Sequence, residues 1–405
     1  MENESIESYI TMPKGFKAAG IACGLKGNGS LDLNILESDI PATVAGVYTS
    51  NIVKGHSLQR TIDVISKGNP VRAVIVNARN ANACVGRCGY EDAELIAGSA
   101  AGSIGCKSDE ILTASTGVIG IRLPAELVIS GIPSLVSSMS SEPEDAHNAE
   151  RAMMTTDTMP KEVSATITLA DGKEVTIAGM AKGSGMICPN LATMIGLFTT
   201  DCAIDRDFLS KCLSKAVSHT FNRVSVDGDT SVCDMVLVLA NGASGASITA
   251  GTEDADLFEE ALTSLSLDLA KMIASDGEGA SKFIEVEVTG AASEADAKLI
   301  VSAVAKSPLC KTAIFGEDAN WGRILTALGY SGAKFDPNKV DCYLCGLEVC
   351  RDGAAADYSE DEAAELMKAH DINISLVLHE GEYSDRMFTC DFTYDYVKIN
   401  GSYRS

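Results

Sequence analysis

A lysine, two glycines, a Cys-Pro-Asn bend and a threonine crowd into one stretch, Lys182-Gly-Ser-Gly-Met-Ile-Cys-Pro-Asn-Leu-Ala-Thr193-Met-Ile-Gly196. Pro189 fixes its own φ and pushes Cys188 towards extended backbone. Gly183 and Gly185 permit angles that other residues resist. A threonine held behind such a bend is placed to attack the carbonyl that precedes it. Breaking the Ala192–Thr193 bond in this way frees an α-amine next to the Thr193 hydroxyl, and that pair is a nucleophile carrying its own base. The plain alternative is a glycine turn feeding a buried strand.

A second group with chemistry in it is Ile111-Leu-Thr-Ala-Ser-Thr-Gly-Val-Ile-Gly120. An apolar strand runs into Ser115-Thr116-Gly117, and a hydroxyl beside a glycine amide is a compact pair of donors for a developing oxyanion. A simple strand end is the ordinary reading. Between two glycines, Glu278 is expected to be exposed and able to contact a ligand. Asn77-Ala-Arg-Asn-Ala-Asn-Ala-Cys84 is rich in amides, which can bind or merely shape a loop.

The elements that must position these groups are short. Glycine-punctuated Gly15–Lys26 reads as a strand, followed by 32–35, 42–48 and the β-branched run 71–76. Helical spacing covers 91–104, with Gly105 as the stop. Further helices are expected over 144–154, 205–221, 257–273, 295–306 and 360–369. A hairpin is expected from 163–169 and 174–177, and strands over 235–240 and 283–289. Strands and helices mix without a strict βαβ repeat, which favours an α+β layered architecture. No Walker loop, dinucleotide fingerprint or internal repeat is apparent.

A net charge of −24 over 405 residues argues against a nucleic-acid-binding surface and against anionic membranes. Met1 to Ser8 carry three glutamates and no basic lead-in, and no apolar run reaches the length of a membrane span, so a cytoplasmic protein is expected. Thirteen scattered cysteines point to reduced thiols. Cys342, Cys345 and Cys350 read as buried thiols on a strand-turn-strand, and with the five histidines dispersed no metal site is expected.

Taken in order, Gly15–Gly20, Asn80–Cys84, Ser115–Gly120, Thr155–Thr158, Lys182–Gly196, Val226–Thr230, Asp276–Gly279, Asn320–Arg323 and Tyr396–Ser405 resemble the ornithine acetyltransferase family, also called glutamate N-acetyltransferase, of arginine biosynthesis. The resemblance covers nearly the whole chain. It implies a precursor that cuts itself between Ala192 and Thr193 into an α chain, 1–192, and a β chain, 193–405, commonly assembled as α2β2. The implied fold is a sandwich-like α/β arrangement similar to N-terminal nucleophile hydrolases. The implied activity moves an acetyl group from N2-acetyl-L-ornithine to L-glutamate. No resident cofactor is implied, although some members also take acetyl-CoA as donor.

Residue by residue, the resemblance implies Thr193 as nucleophile, with its α-amine, of reference pKa ~7.7–8.0, as base. Thr116 and Gly117 are implied as the oxyanion site. Thr156, Lys182, Thr193, Glu278, Asn400 and Ser405 are implied as substrate contacts, the last two from a tail folded over the site. Lys182 suits a substrate carboxylate and Glu278 an α-ammonium. Three departures stand out. Arg79 lies where the family usually has glycine, and Gly401 and Ser405 lie where alanine and threonine are frequent. Two other readings compete: an aminopeptidase of the related self-cleaving fold, with water as acceptor, and a catalytically silent amino-acid binder. The first usually carries serine at the cut. The second predicts loss of Thr193, Thr116 or Gly117, and all three are present.

Overall fold

A computed structural model describes residues 7–188 and 194–403. Those residues pack as two compact units, one drawn from 7–186, 194–222 and 229–269, the other from 187–188, 223–228 and 270–403. Each unit takes residues from both sides of the expected Ala192–Thr193 junction.

The first unit is built on an eight-stranded sheet. Its order is Ile111–Ser115, Val71–Asn77, Leu33–Tyr48, Met235–Ala240, Ile195–Thr200, Glu174–Lys182 and Glu162–Thr168, with Phe16–Ile21 also paired to Leu33–Tyr48. Strand Val71–Asn77 shows why both faces are covered. Val74 and Val76 join one apolar cluster with Leu58 and Val64 of helix His56–Ser66 and Ala149 of helix Pro143–Met153. Ala73 and Ile75 join another, with Ile96 and Ala100 of helix Cys88–Ile104 and Val128 and Ile132 of helix Ala125–Ser137. A period of two with apolar side chains on both faces requires helices on both. Gly20 lets helix Pro143–Met153 lie close, since a Cβ there would stand 2.0 Å from the Asn148 carbonyl oxygen.

The second unit holds a seven-stranded sheet whose longest member, Phe283–Ala291, pairs with Asp371–Val377 in parallel and Tyr383–Cys390 in antiparallel. Ile284, Val286 and Val288 face one core with Ile300 and Val304 of helix Glu294–Ala305 and Ile324 and Leu328 of helix Trp321–Gly329. Mixed sheets layered with helices are the α+β architecture expected from the sequence.

Several boundaries fall where capping chemistry puts them. Gly105 ends helix Cys88–Ile104 in the left-handed region at φ 86°. The Asp205 carboxylate accepts from the amides of Asp207 and Phe208 and starts helix Arg206–His219. Strands Asp341–Leu344 and Leu347–Arg351 turn at Cys345-Gly346, with Cys342 and Cys350 buried opposite one another. Two expectations change. The separate strands at 32–35 and 42–48 are one strand, Leu33–Tyr48, whose register shifts between Glu37 and Ala42. The tail contains a helix, Tyr394–Gly401, capped by the Thr393 side chain.

Candidate functional site

Strands Val71–Asn77 and Ile111–Ser115 run parallel and end together at the register pair Asn77 and Ser115. Below the ends lies a polar lattice. The Ser115 hydroxyl donates to Asn77 Oδ1 at 2.6 Å and lies 2.7 Å from the Ser57 hydroxyl. Asn82 Nδ2 donates to Ser57 Oγ at 3.1 Å and to the Gly89 carbonyl at 2.8 Å. Asn77 Nδ2 donates to the Asn80 carbonyl, and Asn80 Nδ2 to that of Ile121. The three asparagines of the 77–84 loop therefore shape the loop. That is the plainer of the two roles the sequence left open for them.

On this lattice stand Thr116 and Gly117. The Thr116 amide donates to the Asn77 carbonyl at 3.0 Å, and Asn80 bridges to Thr116 and Val118. Gly117 has φ 131°, and a Cβ on it would meet the Arg79 carbonyl carbon at 2.2 Å and the Asn80 nitrogen at 2.6 Å, so only glycine fits. Thr116 is 2% exposed. Among the described residues neither its hydroxyl nor the Gly117 N–H is donated to any acceptor. Two adjacent donors, rigidly held and unengaged, are what stabilisation of a developing oxyanion requires. Arg79, which props this turn, sits at φ 74°, in the region that favours glycine.

A charged cluster lies in the same unit, with Lys182 close enough to Asp234 to favour its ionised form. Lys182 ends strand Glu174–Lys182 and is 1% exposed. Its ammonium donates to Thr155 Oγ1 at 2.9 Å and lies 3.7 Å from Asp157 Oδ2. Lys161 meets the other Asp157 oxygen at 3.1 Å. Burial opposes ionisation of Asp157, yet Lys182, Lys161 and the amides of Thr155 and Gly183 outweigh it and hold the carboxyl well below its usual range. Two ammoniums thus share one carboxylate. Glu150 is the opposite case. Burial pushes it up to about 8, and its Oε2 has no hydrogen-bond partner. Of the sequence-derived contacts, Lys182 is joined to Thr155. Thr156 is half-buried and makes no hydrogen bond among the described residues.

In the second unit Glu278 and Asn400 come together, with Asn400 Nδ2 donating to Glu278 Oε2 at 2.7 Å. Glu278 is 6% exposed, which corrects the expectation of an exposed loop acid. The cause is the tail helix: Thr393 Oγ1 donates to the Gly279 carbonyl at 2.6 Å, and the backbone of Asp395 and Tyr396 packs against Gly279. Lys311, 2% exposed, braces the strand before this tail by donating to Thr389 Oγ1 and the Cys390 carbonyl and lying 4.6 Å from the centre of the Phe392 ring. Asn320 caps helix Trp321–Gly329, and Arg323 donates to the Leu309 carbonyl. Ala192, Thr193 and Ser405 lie outside the described residues. The next residue, Met194, is held by a group the sequence did not single out. Its N–H donates to Oδ1 of Asp234 at 3.0 Å, and Asp234 is 0% exposed.

Comparison with known proteins adds the following. Residues 17–405 match the model of the ArgJ family. The arginine biosynthesis bifunctional protein ArgJ of Symbiobacterium thermophilum is 47% identical over 405 residues, which is 99% of this chain and 100% of the relative. The crystal structure of the arginine biosynthesis bifunctional protein argJ from Bacillus halodurans is 44% identical, with a TM-score of 0.49, over 50% of this chain and 96% of that one. The ornithine acetyltransferase of Mycobacterium tuberculosis, solved with ornithine, is 37% identical, with a TM-score of 0.43, over 46% of this chain and 97% of that one.

Proposed function

This chain belongs to the ArgJ family, and on that premise we propose that it is an acetyltransferase of arginine biosynthesis that moves the acetyl group of N2-acetyl-L-ornithine to L-glutamate through an acetyl ester on Thr193. The observation that carries the reading is the pair of donors at Thr116 and Gly117, which are unengaged among the described residues.

Self-cleavage between Ala192 and Thr193 supplies the α-amine and leaves chains 1–192 and 193–405. Thr193 Oγ then attacks the acetyl carbonyl while the α-amine takes the hydroxyl proton. The carbonyl oxygen gathers charge between the Thr116 hydroxyl and the Gly117 N–H. Collapse expels the ornithine amine, which receives the proton. Glutamate enters, its amine attacks the acetyl ester, and N-acetylglutamate leaves with Thr193 restored. Lys182 serves the substrate carboxylate, and Glu278 serves the α-ammonium of glutamate as it enters and of ornithine as it leaves, a group that N2-acetyl-L-ornithine itself lacks. Thr156, Asn400 and Ser405 complete the substrate contacts. Acetyl-CoA acts as a second donor, a reading supported by the word bifunctional in the name of the Symbiobacterium relative. The processed chains assemble as α2β2 in the cytoplasm. Among the described residues, no helix is long and apolar enough to cross a membrane.

The test is intact mass under denaturing conditions together with acetyl transfer. Cleavage before Thr193 divides 42.3 kDa into pieces of roughly 20 and 22 kDa in proportion to their lengths. Thr193→Ala should remain one piece and transfer nothing. Transfer by Thr193→Ala would remove the nucleophile assignment. Acetylornithine turnover that ignores glutamate would favour the aminopeptidase reading instead.

A further inference from the structure

The residues just before strand Met235–Ala240 form a bracket. Thr49 Oγ1 donates to the Ser231 carbonyl at 2.9 Å, and the Gly55 amide donates to the Val232 carbonyl at 2.8 Å. The Cys233 thiol donates to the Ala81 carbonyl at 3.2 Å. Ala81 in turn donates its N–H to Val118, whose own N–H donates to Arg79, so this contact reaches the backbone that holds Thr116 and Gly117. The next residue turns the other way. Asp234 Oδ1 accepts the Met194 N–H at 3.0 Å, while the Asp234 carbonyl accepts from the Thr49 amide and the Met235 amide donates to the Met194 carbonyl. Within two consecutive residues the segment grips both the donor loop and the first described backbone group after Thr193.

A carboxyl is an expensive choice for this place. Asp234 is 0% exposed, and among the described residues nothing meets its Oδ2 within hydrogen-bond geometry, although the Ser231 and Thr49 side chains lie near enough to the carboxyl to favour its ionised form. Burial raises its pKa well above the usual carboxylate range, against the pull of Ser231, the Met194 amide, Lys182 and Thr49, which favour the ionised form. An apolar side chain would avoid the desolvation but would leave the Met194 N–H without this acceptor.

We propose that Asp234 is a positioning residue for acetyl transfer and for self-cleavage: it fixes the Met194 amide, which directly follows Thr193 in the chain, relative to the loop bearing Thr116 and Gly117. The proposal rests on the reading of Thr193 as nucleophile. A displacement of an ångström between nucleophile and donors affects the rate of the chemical step far more than the binding of substrate.

The experiment compares Asp234→Ala, Asp234→Asn and Thr193→Ala as full-length proteins. Self-cleavage is followed by intact mass, and kcat and KM are measured on the processed fraction. Asp234→Ala should slow self-cleavage and lower kcat at least tenfold, with KM for both substrates within threefold. Asp234→Asn keeps a carbonyl oxygen in the same place and should hold both rates within threefold of the parent. If Asp234→Ala does not fold, Asp234→Ser, which is too short to reach the amide, takes its place with the same expectation. Parent-like rates in Asp234→Ala or Asp234→Ser overturn the proposal. A folded Asp234→Asn as impaired as Asp234→Ala also overturns it, because a property of the carboxyl other than its acceptor oxygen would then matter. Thr193→Ala separates the two ideas: if it is inactive while Asp234→Ala is parent-like, positioning alone fails, whereas transfer by Thr193→Ala defeats the underlying nucleophile.

Discussion

Thr116→Val is the most discriminating change at the donor pair, because it replaces the hydroxyl by a methyl of nearly the same shape. In the resting structure the hydroxyl has no acceptor among the described residues. Its removal therefore breaks no hydrogen bond among the described residues, and the folded state should shift by no more than about 1 kcal/mol in either direction. In the transition state the same hydroxyl faces a developing negative charge, and one lost donor of that kind costs about 10²–10³ in rate, or roughly 2.7–4 kcal/mol. The Gly117 N–H remains, so activity should fall without vanishing. Because the lost interaction strengthens only as charge develops, kcat should carry the loss and KM for acetylornithine should stay within about threefold. The assay is release of ornithine and formation of N-acetylglutamate, followed by chromatography at saturating glutamate and normalised to the cleaved fraction. Thr116→Ser restores the hydroxyl and should recover at least a tenth of parental kcat. A fully cleaved Thr116→Val enzyme with kcat within threefold of the parent would refute the oxyanion role.

Two other predictions concern stability. Arg79 is exposed at φ 74°, where a side chain costs about 1–2 kcal/mol and glycine costs little, so Arg79→Gly should raise the melting temperature by about 1–3 °C after allowing for the extra freedom of glycine in the unfolded chain. A lower melting temperature would show that the Arg79 side chain contributes more than its backbone strain removes. Glu150 binds its proton more tightly folded than unfolded, so its contribution is complete below the unfolded carboxylate range near 4.5 and disappears as pH rises through about 8. Denaturation at pH 5, 6, 7 and 8 should show Glu150→Gln losing less stability than the parent across that window, the difference approaching about 1.4 kcal/mol per pH unit where the slopes differ by one proton. Parallel curves would place the titration elsewhere.

Much of the fold could be read from local signals, because local chemistry decides those features. The β-branched run 71–76 can only be a buried strand, Gly105 can stop a helix where few residues can, and Ser115-Thr116-Gly117 puts its donors next to each other in the chain. What stayed hidden depended on distant partners. Glu278 reads as a solvated acid between glycines until the helix some 120 residues later supplies Asn400 to cover it. Asp234 lies just before the strand expected over 235–240, with nothing local to mark it, and only the pairing of strand Met235–Ala240 with strand Ile195–Thr200 brings Met194 to it. Asp39 and Pro41 look like a break between two strands, whereas the chain passes them with a register shift and goes on pairing.

The same distant partners explain why the first unit buries so many polar groups. Asp157, Lys161, Lys182, Glu150 and Asp234 are each removed from water, and apolar replacements of similar volume are often neutral or stabilising at such positions. Stability is therefore a poor reason for keeping them. Preorganisation is a better one. A side chain held by fixed partners does not have to reorganise when charge moves nearby, whereas an apolar packing can hold shape but offers neither donor nor acceptor. Asp157 locks two ammoniums and two amides at once, and Asp234 links one strand to the next through a single amide. On this reasoning the buried polar groups should prove costlier to activity than to folding, and Asp234→Ala and Thr116→Val, on opposite sides of the Cys233–Ala81 contact, are the pair in which that asymmetry should be largest.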